Sequence, residues 1–260
     1  MKRILTLALS LALIPVLTSS GCRMFSRAMN KSGTIFVIDV AQDEGDAADR
    51  TERSVKIIQS RLDAIGMDGE VSPAGANRLE VRIFGSPDLS VARNFLFKTY
   101  RLEFRKVVSP PNPQPAAMYP DEAAAKSAAG AGNEVMPYSE RGETSKYLIL
   151  ERHPIVTGEH IRSADAISRT GSDLDNQISF SLNGEGASKL ADWTAKNINN
   201  YLAVVLNGKV ESVAFIRSQI FDSGEISGMF SKAEAENIAR VLSSGYMPWE
   251  LKVLEERKFE

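Results

Sequence analysis

The sequence predicts an α+β fold, with helices laid on antiparallel sheet and the chain divided into two lobes. Three observations predict it. Strictly alternating strand patterns are interleaved in mixed order with helical ones. Asn207-Gly208 stands between two apolar runs, the strongest short-range signal for a hairpin. A stretch at 109–146 holds six of the eleven prolines and an Ala/Gly run, which separates an opening block from a middle one.

The elements follow in chain order. Residues 34–40 are β-branched and apolar, which predicts a largely buried strand. Val55, Ile58, Leu62 and Ile65 have helical spacing; Asp49 and Glu52 are placed like a capping box and Gly66 like a stop. Leu79, Val81 and Ile83 alternate with Arg78, Glu80 and Arg82, the mark of a half-buried strand. A short helix is expected over 88–98, and Leu102 and Phe104 alternate with charges in another strand. Past the Pro/Ala/Gly-rich stretch, strands are expected at 147–151 and where Ile178, Phe180 and Leu182 alternate with serines. A helix over about 187–199 carries Leu190 and Trp193 inward. The runs 202–206 and 209–216 flank the Asn-Gly turn. Ser231 and Glu234 form a capping box before Ala235, Ile238, Ala239 and Leu242; Gly245 ends that helix and Pro248 prevents its continuation. Leu251 and Val253 open a last strand. The outer blocks would form one layer of helices on antiparallel sheet, with the middle block inserted as a second lobe.

Composition narrows the function. The net charge is -2; without Lys2 and Arg3 it is 29 positive against 33 negative groups, -4. No basic excess points to nucleic acid. Cys22 is the one cysteine, and His153 and His160 are the two histidines, which excludes a cysteine-based zinc site. Both histidines are expected in loops or on the surface. Gly184-x-Gly186 lacks the third glycine of a dinucleotide fingerprint, since position 189 is lysine. Asp173, Asp175 and Asn176 lack the glycine and distal glutamate of a calcium loop. Neither a Walker pattern, nor His-Glu-x-x-His, nor Gly-x-Ser-x-Gly occurs. Trp193 and Trp249 fit core or inter-lobe packing. With no catalytic centre, metal or cofactor expected, binding becomes the default role.

The leader sets the compartment. Lys2 and Arg3 precede an apolar run over 4–17 and the small residues Thr18, Ser19, Ser20 and Gly21, as in a secretory signal. The run is short for a bilayer span, which takes about 20 residues. Ser20, Gly21 and Cys22 resemble a bacterial lipobox, although Ser19 stands where leucine is usual. The expectation is a signal peptide over 1–21, a lipid on Cys22, a tether over 22–32 and a protein held on the membrane, facing the periplasm or exterior.

Gly186, Ala187, Thr194, Asn197, Leu202, Ala203, Val205, Leu206, Gly208 and Val210 match a pattern that resembles the first periplasmic region of the SecD protein-export family. Thr157-Gly158 with Ile161, Ile226-Ser227-Gly228 with Phe230, and Gly245 with Pro248 resemble further family motifs, as do Arg61-Leu62-Asp63 with Gly66 and 102–105. Asn207 departs from the family's usual aspartate, and Val213-Ala214 from Ala-Pro. The resemblance implies a ferredoxin-like base built from both chain ends, with an inserted α+β head. The expected bounds are base over 33–108, linker over 109–146, head over 147–217 and base again over 218–260.

The resemblance implies an accessory export factor. It would bind unfolded preprotein chains outside the cytoplasmic membrane, with the Sec translocon or another membrane subunit as partner. Proton-driven work needs ionisable groups within a membrane segment, so coupling to the gradient would fall on that partner. The candidate binding or hinge residues are Gly158, Asn183, Gly184, Gly186, Ala187, Thr194, Asn197, Asn207 and Gly208. The alternative is an envelope interaction module that keeps the fold and binds one fixed partner.

Overall fold

The computed structural model describes residues 32–41, 46–108, 118–139, 146–168 and 176–260. The signal, the tether up to 31, Cys22, Asp173 and Asp175 lie outside the described residues. The chain opens with β1 (Gly33–Val40), α1 (Ala47–Ala64), β2 (Gly69–Pro73), β3 (Arg78–Phe84) and α2 (Leu89–Leu96). Next come β4 (Leu102–Lys106), α3 (Glu122–Ala129), β5 (Asn133–Tyr138), β6 (Lys146–Glu151), β7 (Val156–Thr157) and β8 (Ile161–Ile167). Then follow β9 (Asn176–Leu182), α4 (Gly184–Lys196), β10 (Tyr201–Leu206) and β11 (Lys209–Phe215). β12 (Ser223–Phe230), α5 (Lys232–Ser243) and β13 (Leu251–Phe259) complete it.

The base is a four-stranded sheet in the order β13-β1-β3-β2, antiparallel throughout. With α1 and α2 it is a βαββαβ unit whose last strand arrives only after the long insertion. β1 lies between β13 and β3 because it is the most apolar strand, and Phe36, Ile38 and Val40 are wholly buried. They meet Ile58 and Leu62 of α1, Phe95 and Leu96 of α2, and Leu79, Val81 and Ile83 of β3. α1 starts earlier than its apolar spacing suggested. Asp46 is the N-cap and accepts from the Ala48 N–H at 3.0 Å, while Asp49 lies in the first turn.

The head has two sheets, β11-β10-β4-β7 and β12-β9-β8. Phe104 and Phe180 meet across them, with ring centroids 5.1 Å apart. β10 is buried at every residue. Leu202, Val204 and Leu206 enter the core between the sheets. Tyr201, Ala203 and Val205 enter a second core beneath the β5–β6 hairpin. Burial on both faces is why 201–206 reads as an unbroken apolar run rather than an alternation.

Several elements fall elsewhere than expected. β4, expected in the base, pairs with β10. β12 and α5, also expected in the base, belong to the head core: β12 pairs with β9, and Ala235, Ile238, Ala239 and Leu242 pack there. α5 reaches the base core with Val241. Residues 122–138 of the expected linker carry α3 and β5. The alanine run is a good helix former, and Asp121 caps it by accepting from Ala124 N at 2.8 Å. β13 begins at Leu251 as expected, but Val253 is 37% exposed rather than inward.

The two connections between base and head converge on Arg61, which is 1% exposed. Its guanidinium donates to the carbonyls of Leu96 at 2.9 Å and Lys98 at 2.7 Å, and to Ser244 Oγ at 3.0 Å. Residues 97–101 leave the base here, and the chain returns past Ser244.

Candidate functional site: the head and its grooves

Most of the candidate residues form one structural corner. Asn183 caps α4, its Oδ1 accepting from Gly186 N at 2.9 Å, and its own N–H donates to the His160 carbonyl at 2.8 Å. Gly186 is buried against His160; a Cβ there would stand 2.5 Å from the His160 Cβ. Gly184 faces open space, and Ala187 packs on the head core. Gly158 holds the ring of Tyr246 so closely that a Cβ would come within 2.4 Å of it. That contact fastens the head to the returning chain. Burial of Tyr246 raises its hydroxyl pKa.

Thr194 is fully buried. Its Oγ1 donates to the Leu190 carbonyl at 2.8 Å and accepts from Ile220 N at 2.9 Å. Thr194→Val is expected to strand the Ile220 N–H and lower stability by about 1–3 kcal/mol, read as a smaller denaturation midpoint in urea. Asn197 ends α4, its Nδ2 donating to the Trp193 carbonyl at 2.8 Å.

Asn207 and Gly208 take φ of 51° and 77°, the primed hairpin turn that the dipeptide predicts. Asn207 also reaches across: its Oδ1 accepts from Arg101 N at 2.8 Å, and its N–H donates to the Arg101 carbonyl at 2.9 Å. Aspartate offers the same acceptor and tolerates this backbone, so Asn207→Asp should leave thermal stability nearly unchanged. Asn207→Ala loses both advantages and should cost about 1–2 kcal/mol, seen as a lower melting temperature.

His160 corrects the surface expectation. It is 4% exposed, with Thr157 N donating to its Nδ1 at 3.2 Å and Lys189 Nζ 3.1 Å from its Nε2. Glu185, hydrogen-bonded to Lys189 at 2.6 Å, has its pKa lowered by that bond and charge, with His160 adding to the effect. His160 is buried because Gly186, lacking a side chain, lets α4 sit directly on it. His153 is exposed, Trp249 is a core residue, and Trp193 is partly buried against the head core. Among the described residues no His, Cys, Asp and Glu groups are placed to hold a metal ion.

Two of the open grooves flank the β10–β11 hairpin. One, of about 540 Å³, lies between the lobes and is polar, lined by Lys98, Arg101, Glu103, Arg105, Asn207 and Glu250 among others. Arg105 there is paired with Glu103 and with Glu134, the latter at 2.6 Å. The other, of about 530 Å³, runs between β11 and β12, with Val213, Ala214, Ser227, Gly228, Met229 and Tyr138 on its walls. β11 ends one sheet and β12 ends the other, and residues of both strands line this groove. Met229 is 49% exposed beside it. Sequence reasoning chose the hairpin but missed β12; the alternation of small and apolar residues in 223–230 was its only signal.

Residues 133–249 match the family model described as SecDF, P1 head subdomain. The SecD protein translocase subunit of Aquifex aeolicus is 31% identical over 212 residues, 80% of this chain and 39% of that protein. That of Rhodobacter capsulatus is 30% identical over 247 residues, 94% of this chain and 42% of that protein. This chain therefore spans about two fifths of these curated relatives. A solved structure of SecDF, described as a membrane component that enhances protein export, matches with a TM-score of 0.63 and 26% identity. The match covers 86% of this chain and 99% of that one. A ferredoxin-like base with an inserted head, seen here, is thus the architecture of a SecDF-type periplasmic domain. Over most of its length the chain is similar to SecD subunits, and over 133–249 to the P1 head subdomain of SecDF. Among the described residues, no helix is long and apolar enough to cross a membrane.

Proposed function

We propose that this chain assists protein export by holding extended segments of exported polypeptides in the groove between β11 and β12. The observation that carries the proposal is one groove lined by the edge strands of two sheets. An extended chain can hydrogen-bond to such an edge through its backbone, which serves many sequences alike, while small and apolar walls accept varied side chains. The similarity to protein translocase subunits supports it. The nine candidate head residues act in this proposal by shaping the corner and turn that present the groove, and the chemistry is non-catalytic. The chain spans about two fifths of these relatives, and we assign the energy-coupled step to a membrane partner such as the Sec translocon. Cys22 carries the lipid that keeps the protein at the outer side of the cytoplasmic membrane.

Photo-crosslinking residues placed in cells at Val213 or Ser227 should capture many unrelated exported chains together with translocon subunits. The same probe at Ser188, exposed on α4, should capture few. Capture of one fixed envelope protein, with no exported chains, would overturn the proposal in favour of a dedicated interaction module. Cys22→Ser should move the protein from the membrane to the soluble fraction on cell fractionation. Unchanged membrane retention would remove the lipid from the proposal.

A further inference from the structure

β13 ends the base sheet: β1 takes one of its edges and, among the described residues, no strand lies along the other. Residues 252–258 are all exposed, including Leu254 at 45%. A long exposed edge is a template for another strand, and proteins commonly blunt it with charge. Here the charges are of both signs and adjacent: Glu255, Glu256, Arg257 and Lys258. A foreign strand meets a charged edge, but a second copy running antiparallel meets its own sequence reversed, and the signs then oppose.

The faces fix the register. A two-fold axis normal to the sheet keeps both helix layers on one side, so it matches residues that share a face. Glu255 and Arg257 pair with Val37 and Ile35, on the face away from the helices. Glu256 and Lys258 pair with Phe36 and Thr34, on the helix face, and Glu256 reaches Arg93 of α2. With Glu256 on the axis, Glu255 of each copy lies opposite Arg257 of the other. The two Glu256 side chains at the centre are each already bound by Arg93, at 2.5 Å from Nη2 and 3.1 Å from Nε. Within one chain Arg257 touches Glu255 at 3.2 Å and Glu80 at 3.6 Å; both contacts are partly exposed to solvent and open to exchange. We propose that β13 is a self-association edge, on which a second copy of this chain pairs antiparallel about Glu256 and joins two base sheets into one.

The test uses the full chain in cells. On the axis, Glu256→Cys places two thiols across an antiparallel pair, with Cα atoms about 4.5–5.5 Å apart, within disulfide range. Mild oxidation should give a covalent dimer, absent from the unsubstituted protein and from Val91→Cys on the exposed side of α2. Carried on the same background, Glu255→Arg alone and Arg257→Glu alone should each cut that dimer several-fold. Co-expression of the two should restore it, because each then presents the charge the other needs. No dimer from Glu256→Cys, an equal dimer from Val91→Cys, or charge swaps without effect would each overturn the proposal. The restoration arm separates lost pairing from lost folding.

Discussion

Arg61→Ala is expected to lower stability by about 3–5 kcal/mol, because it removes a donor from the buried Leu96 carbonyl and the part-buried Lys98 carbonyl. The Leu96 and Lys98 carbonyls and Ser244 Oγ all accept from one guanidinium, and they belong to the two connections between base and head. Thermal unfolding followed by circular dichroism should show a drop of roughly 10 °C. Arg61→Lys keeps the charge but not the planar fork, and should recover only part of the loss. Burial lowers the Arg61 pKa to about 10. The group therefore remains charged at neutrality, and the deficit of Arg61→Ala should be the same at pH 6 and pH 8. A melting temperature within a degree or two of the unsubstituted protein would show that the connections are held by other contacts.

Gly186→Ala is the second large effect, and Gly184→Ala is its control two residues away. A Cβ on Gly186 would lie 2.5 Å from the His160 Cβ and 3.2 Å from its Cγ, whereas one on Gly184 meets nothing within 4 Å. Forcing α4 away from the 158–160 turn should cost about 2–3 kcal/mol. Gly184→Ala should be neutral or stabilising by some tenths of a kcal/mol, since it reduces the freedom of the unfolded chain. Equal denaturation midpoints for the two variants would refute the close packing of α4 on His160. The contrast also separates motif residues that build the head from those that merely lie near them.

Local chemistry was legible in the sequence because it is local. The Asn207-Gly208 turn, the Ser231–Glu234 capping box and the alternation of 78–83 each depend on neighbours within a few residues, and each is found where it was read. The resemblance was legible too, since the family's motifs recur in order along the chain. Apart from the cap of α1, which is Asp46 and not Asp49, what failed depended on partners distant in sequence. β4, β12 and α5 carry ordinary strand and helix patterns, and nothing in those patterns says which sheet will take them. His160 gives no sign of burial until Gly186 brings α4 onto it. The 122–129 helix was hidden by composition, because alanine serves both a linker and a helix, and only packing chose between them. The groove between β11 and β12 and the open side of β13 are edges, and an edge exists only once the strand order is fixed. Sequence by itself determined most of the local elements and the resemblance to the SecD family. Tertiary structure decided which strands were left without a neighbour, because backbone pairing is set by the competition of all strands for burial and not by any one segment.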